Sequence, residues 1–138
     1  MTILEKANDF KEDLELFETA NEKMDFILDL GKNFKGLEES EKNDANLIVG
    51  CASRAWLKRD FIDGKIYLEA DGESVLAKGM LTMFLSIFSN RTPSEILSFD
   101  PKTFDAFGFD ALISPSRLQG MEAFLNKIYT FAKECQGE

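Results

Sequence analysis

The fold is decided by the stretch AWLKRDFIDGKIYLEA, residues 55–70. Its two halves flank Asp63-Gly64, a dipeptide typical of the two-residue turn of a β-hairpin. In the second half the apolar residues Ile66, Leu68 and Ala70 alternate with polar ones, as in a strand with one buried face. The stretch therefore predicts a small antiparallel sheet of about three strands.

Amphipathic helices are predicted on both sides of this sheet. A threonine followed three residues later by glutamate predicts helix starts at Thr2 and at Thr19. Residues 75–88 show the most regular helical spacing of apolar residues, and Ser114-Pro115-Ser116 opens a last helix. Helices, a small sheet and further helices predict an α+β fold, formed as one domain over residues 1–138.

Composition excludes several classes of function. The net charge of -9 disfavours binding to a nucleic acid backbone. No apolar run is long enough to span a membrane, and no secretory signal opens the chain, so we expect a cytoplasmic protein. The chain has no histidine, which excludes Ser-His and Cys-His catalysis and a histidine-ligated zinc site.

The candidate for chemistry is Cys51, which follows Gly50 at the end of a short apolar run. Glycine permits a tight bend there. Arg54, Lys58 and Arg59 follow within eight residues, and nearby cations favour the reactive thiolate. The alternative is that Cys51 is a small buried hydrophobe.

Two other residues, Cys135 and Arg117, have either a structural or a functional role. Cys135 continues the apolar stripe of the last helix and is expected to be structural. Arg117 lies in the first turn of that helix, where a cation interacts unfavourably with the helix dipole. Its placement there therefore needs an explanation. It is either a functional residue or a surface arginine paired with a carboxylate.

Four blocks of sequence together resemble the SufE family of sulfur-acceptor proteins over nearly the whole chain. The blocks are Gly50-Cys51-Ala52-Ser53 with Trp56, residues 71–79 (DGESVLAKG), residues 92–97 (TPSEIL) with Phe99, and residues 114–117 (SPSR) with Gly120. The resemblance implies the α+β fold that this family shares with iron–sulfur scaffolds of the IscU kind.

The resemblance also implies a sulfur relay. A cysteine desulfurase of the SufS or CsdA type, which carries pyridoxal phosphate, would pass persulfide sulfur to Cys51 and be stimulated in doing so. The sulfur would then go to a scaffold of the SufBCD type for iron–sulfur cluster assembly. Arg117 matches an arginine near the acceptor loop, and Glu73, Arg54 and Trp56 become candidates for contact with the desulfurase. In this interpretation the chain holds no cofactor or metal, is an accessory protein rather than a stand-alone enzyme, and can form a homodimer.

The residues themselves fit that role, because sulfur exchange between thiols needs a thiolate but neither a metal nor a histidine. Trp56 and the apolar residues before Cys51 are expected to shelter the sulfur, and the polar segment 35–46 is expected to give the loop slack. Three alternatives stay open: an iron–sulfur scaffold, for which two cysteines are too few, a thiol redox sensor, and an interaction module with a structural cysteine.

Overall fold

The computed structural model describes residues 1–50 and 53–136 of the chain. Five α-helices and a β-hairpin occur among these residues. Two helices precede the hairpin and three follow it, with bounds α1 Ile3–Glu15, α2 Ala20–Leu30, β1 Ala55–Ile62, β2 Lys65–Gly72, α3 Val75–Phe88, α4 Pro93–Ser98 and α5 Pro115–Gln136. Short 3₁₀ helices cover Glu39–Glu41, Pro101–Phe107 and Phe109–Ala111. The predicted α+β fold is confirmed.

The helix starts follow the predicted caps. The Thr2 hydroxyl accepts the N–H of Glu5 while the Glu5 carboxylate accepts the N–H of Thr2, which completes a capping box. Thr19 caps α2 through the N–H of Glu22, and the hydroxyl of Ser74 caps α3. No helix in the described part of the chain has the length and apolar character needed to cross a membrane.

The hairpin forms where the sequence predicted it. Residues Ala55 to Ile62 pair antiparallel with residues Gly72 to Lys65, and the turn places both Asp63 and Gly64 at positive φ, 51° and 81°. The expected count of about three strands is slightly too high, since two strands form within the described residues. Beside the hairpin, pairing in the described part of the chain is limited to two isolated antiparallel bridges, Leu47 with Trp56 and Ile66 with Arg91.

The core lies between the inner face of the hairpin and the helices. Leu57, Ile66 and Leu68 point inward and are buried. Behind them a cluster of aromatic rings joins α3 to the C-terminal half, with Phe84 against Phe104 and Phe124. Helices α2 and α3 cross so closely that a side chain on Gly79 would meet the backbone of Ile27.

Candidate functional site

An apolar cavity of about 70 Å³ lies between α3, α5 and the start of β1. A volume of this size exceeds the roughly 10–15 Å³ that one water molecule needs. Its wall is apolar except at Ser53 and Arg117, and the lining residues are Ile48, Ser53, Ala55, Leu76, Ala77, Met80, Leu81, Phe84, Ile113, Arg117, Gly120, Met121 and Phe124. The arrangement suits a small, weakly hydrated group held out of bulk water.

The predicted acceptor, Cys51, lies outside the described residues. Ile48 and Ser53, which precede and follow it in the chain, both line the cavity. Gly50 adopts a φ of 101°, which is a conformation that glycine allows and that L residues rarely adopt. The nearest atom to a side chain built at Gly50 would be 3.8 Å away, so the backbone angle rather than crowding explains the glycine.

Arg117 is the polar side chain at this cavity that the sequence singled out. It lies in the first turn of α5, where its N–H donates to the Ser114 hydroxyl. Its Nη1 donates to the hydroxyls of Ser53 at 3.1 Å and Ser74 at 3.0 Å. In the described part of the chain no carboxylate lies within salt-bridge distance of this guanidinium. The alternative of a surface arginine paired with a carboxylate is therefore wrong.

Arg54 and Glu73 form a separate pair beside this site. The Arg54 side chain donates to Glu73 Oε2 from Nε at 3.2 Å and from Nη2 at 3.0 Å, and its backbone N–H donates to Oε1 at 3.0 Å. These hydrogen bonds from Arg54 lower the pKa of the Glu73 carboxyl. Two partner-binding candidates thus meet, and both stay partly exposed to solvent.

Trp56 lies on the opposite face of β1 from the cavity. Successive side chains of a strand point to opposite faces, and Ala55 already lines the cavity. The indole is buried with Lys42 Nζ and the Arg54 guanidinium each 5.7 Å from its ring. Trp56 is therefore not among the lining residues, whereas Ile48, one of the apolar residues before Cys51, is. Because Cys51 lies outside the described residues, the shelter expected from Trp56 stays a prediction.

The segment 35–46 is tied to the hairpin rather than slack. Asp71 Oδ2 accepts the N–H of Leu37 at 3.0 Å and lies 3.3 Å from Lys42 Nζ. Further along the segment, Arg59 Nη2 donates to the carbonyl of Ala45 at 2.9 Å. The predicted slack is therefore wrong, because a buried carboxylate and a strand arginine hold the segment in place.

Electrostatics around Asp71 explain how a carboxylate tolerates burial. Burial alone would raise the pKa of Asp71, but the backbone N–H groups of Leu37 and Gly72 and the Lys42 ammonium together hold that pKa below its ordinary value. Hydrogen bonds to Glu39 and Asp71 raise the pKa of Lys42. Both groups are thus charged near neutral pH, and they fasten the segment to β2.

The cations that the sequence places near Cys51 have other partners. Arg54 pairs with Glu73, Lys58 lies 3.4 Å from a Glu41 oxygen, and Arg59 binds a backbone carbonyl. None of the three lines the cavity. Arg117 is the cation at the cavity, although it lies more than sixty residues further along the chain.

Ser53 and Ser74 are the site residues that sequence reasoning did not single out. Ser74 was recognised only as the cap of α3, a role it fills by accepting the N–H of Ala77. A serine gives no signal of its own, but Ser53 and Ser74 flank Cys51 and Glu73 in the two blocks that carry the resemblance. Cys135 is buried on α5, as expected of a structural cysteine.

Together, the fold and the site define a class: a small α+β protein with an apolar cavity that has an arginine in its wall and is lined by Ile48 and Ser53, on either side of Cys51 in the sequence. The chain belongs to the SufE family, since its residues 8–132 match the family model described as "SufE: Fe-S metabolism associated domain". It is thereby a protein associated with iron–sulfur metabolism and sulfur transfer.

A solved structure supports the fold. The chain is similar to a hypothetical protein from Thermus thermophilus, whose solution structure superimposes with a TM-score of 0.73. The match covers 94% of this chain and 96% of the other, at 17% sequence identity. At that identity the similarity concerns the fold alone.

Proposed function

We propose that this chain accepts persulfide sulfur on Cys51 from a pyridoxal-phosphate-dependent cysteine desulfurase and delivers it for iron–sulfur cluster assembly. The observation that carries the proposal is the cavity, because the residues on both sides of Cys51 in the sequence line an apolar space whose polar wall is Arg117 and Ser53. Family membership supplies the general context of iron–sulfur metabolism.

The transfer itself needs one thiolate. The Cys51 thiolate attacks the terminal sulfur of the donor persulfide, a sulfur–sulfur bond forms on Cys51, and the donor cysteine leaves as its thiolate. No outside oxidant or reductant is consumed. The reaction therefore asks this chain only for a nucleophile and a protected place for the product.

The cavity suits protection of that product. A persulfide exposed to water is lost to small thiols, and the wall formed by Leu76, Met80 and Met121 keeps such thiols away from a sulfur seated among them. Methionine side chains are soft and polarisable, which favours contact with another sulfur. The Arg117 guanidinium in the same wall favours the anionic form of a thiol or persulfide.

Exposed apolar residues next in sequence to the lining residues support docking of a partner. Val49 and Val75 are 80% and 64% exposed, although each is adjacent in sequence to a lining residue. The Arg54–Glu73 pair adds charges of both signs beside them. We infer that the desulfurase covers this surface, that it brings the pyridoxal phosphate, and that a scaffold of the SufBCD type takes the sulfur later.

The same proposal places the protein in the cytoplasm, where a free thiol stays reduced. It assigns no cofactor or metal to the chain itself. Sedimentation equilibrium tests whether the homodimer that the resemblance admits forms at micromolar concentration.

The proposal is tested by mixing the protein with its desulfurase and cysteine, then weighing the peptide that contains Cys51. We expect the peptide to gain the mass of one sulfur atom and the desulfurase to release alanine faster. Cys51→Ser should abolish both effects, whereas Cys135→Ser should retain them because Cys135 is buried in α5.

An unmodified Cys51 peptide, or full desulfurase stimulation by Cys51→Ser, would refute the proposal. A sulfenic acid on Cys51 after treatment with peroxide, without sulfur gain from the desulfurase, would instead support the redox-sensor alternative.

A further inference from the structure

Arg117 has hydrogen-bond donors that the described part of the chain leaves unused. A guanidinium carries five N–H donors, and Nη1 alone accounts for the bonds to Ser53 and Ser74. The other three arginines are engaged with a carboxylate, a backbone carbonyl or both. The chain has 25 acidic residues, yet none of the carboxylates among the described residues pairs with Arg117.

The two serines extend this set of donors. Since an N–H of Arg117 can only donate, the hydroxyl oxygens of Ser53 and Ser74 act as acceptors toward it. Ser74 also accepts the N–H of Ala77, and neither hydroxyl donates to an acceptor among the described residues. Within the described residues, each hydroxyl proton and the remaining N–H groups of Arg117 are thus left for a ligand.

The site has a polar side and an apolar side. Arg117 and Ser53 supply the polar side, while Met80, Phe84 and Met121 lie in the apolar wall. A ligand that fits both is a small anion with an oxyanion end for the donors and a weakly hydrated sulfur end for the cavity. An S-sulfonate has this shape, and thiosulfate is its smallest member.

We propose that Arg117, Ser53 and Ser74 form an anion subsite that binds thiosulfate, so that this chain also takes sulfane sulfur from a small molecule without a desulfurase. This inference rests on the proposed role of Cys51 as the sulfur acceptor. The sulfonate oxygens bind the guanidinium and the hydroxyls, and the sulfane sulfur enters the cavity.

The transfer step is balanced. The Cys51 thiolate attacks the sulfane sulfur of thiosulfate and forms a sulfur–sulfur bond. The bond from that sulfur to the sulfonate breaks, and its electron pair leaves with sulfite. One thiolate and one dianion give one persulfide anion and one dianion, so no further reactant is required.

Binding is measured first by calorimetry on Cys51→Ser, which cannot react. We expect this protein to bind thiosulfate more tightly than sulfate, which has no sulfane sulfur to place in the cavity. Arg117→Met should weaken binding by about tenfold to a hundredfold, since hydrogen bonds from a charged donor are lost. Arg117→Lys should lie between the two, because it keeps the charge but loses the planar fork.

Arg59→Met is the matched control, since it removes a guanidinium that does not line the cavity. It should leave thiosulfate binding unchanged. A thermal unfolding curve for each variant verifies that the variant is folded. If Arg117→Met does not fold, Arg117→Lys serves as the test variant. Equal affinity for sulfate and thiosulfate, or equal weakening by Arg59→Met and the Arg117 variants, would overturn the subsite.

Reaction is then measured on the unaltered chain with thiosulfate alone. The expected result is release of sulfite together with one added sulfur on the Cys51 peptide. If thiosulfate neither binds nor reacts while the desulfurase still loads Cys51, the subsite is wrong and the proposed function stands. If neither donor loads Cys51, the proposed function fails as well, whatever the calorimetry shows.

Discussion

The substitution Asp71→Asn tests whether a buried carboxylate holds segment 35–46 against the hairpin. Oδ2 of Asp71 accepts from Leu37 N–H at 3.0 Å and from Lys42 Nζ at 3.3 Å, and Oδ1 accepts from Gly72 N–H at 2.8 Å. An asparagine has one acceptor oxygen and one donor nitrogen in these places. Either orientation of the amide therefore turns a donor toward a donor.

The expected cost follows from the bonds that are lost. A hydrogen bond to a charged group contributes about 1.5–3 kcal/mol, and asparagine keeps part of the set, so we expect a loss of about 2 kcal/mol. With an unfolding entropy of about 2.1 cal/mol/K per residue over this chain length, that loss lowers the unfolding midpoint by about 7 °C. The change is large enough to measure by a single melting curve.

The assay combines thermal unfolding at pH 7 with amide hydrogen exchange. The matched control is Glu69→Gln, which makes the same change of charge on the same face of β2 at an exposed position. Asp71→Asn should lower the midpoint and speed exchange at Leu37 and its neighbours, and the control should do neither. A midpoint for Asp71→Asn within about 1 °C of the control would refute the reasoning.

The stability that the Asp71 carboxylate contributes should depend on pH. Its pKa in the folded protein lies below the ordinary value of 3.8, so its stabilising effect is complete above that value. The effect is lost as the pH falls through the folded pKa. The stability difference between the unaltered chain and Asp71→Asn should therefore be constant from about pH 5 to 7 and shrink below about pH 4. A difference that stays constant as the pH falls below about 4 would contradict this assignment.

The remaining predictions concern helix packing, a helix end and the exposed ion pair. Gly79→Ala places a methyl group on the Ile27 carbonyl, and the resulting strain of about 1–3 kcal/mol exceeds the gain of about 1 kcal/mol in helix propensity, so the unfolding midpoint should fall. Lys23→Met removes hydrogen bonds of 2.8 Å to the Leu14 carbonyl in α1 and of 2.6 Å to the Phe17 carbonyl just beyond it, and hydrogen exchange should show the end of α1 fraying. Glu73→Gln should leave the melting curve nearly unchanged, because exposed pairs such as that with Arg54 contribute little, but should weaken desulfurase stimulation measured as alanine release.

Local signals in the sequence predicted the elements correctly. The Asp63-Gly64 turn and the Thr2 cap depend on neighbours within four residues, so the sequence pattern is sufficient to place them. The contact of Arg117 with Ser53 joins residues 64 positions apart, and its contact with Ser74 spans 43. Such pairings depend on how α3 and α5 pack, which no local pattern specifies.

Trp56 shows what a correct local prediction leaves undecided. Its closeness to Cys51 in sequence suggested a shelter for the sulfur, yet the alternation predicted for the strand already requires Ala55 and Trp56 to face opposite sides. Only the structure shows which side holds the cavity. With the position of α5 known, the same alternation would have identified Ala55 as the β1 residue that lines the cavity.

If the chain carries sulfur as proposed, this opposition of faces limits how the sulfur can be delivered. Trp56, Lys42 and Asp71 fix segment 35–46 on the outer face of the hairpin, so it cannot swing outward without breaking buried hydrogen bonds. The cavity lies on the inner face, and the exposed Val49 and Val75 are adjacent in sequence to its lining residues Ile48 and Leu76. In the proposed function the partner therefore comes to the cavity, because a long movement of segment 35–46 toward the partner would break the contacts that Asp71 holds. Loosening the segment by Asp71→Asn should then lower stability without improving transfer from the desulfurase.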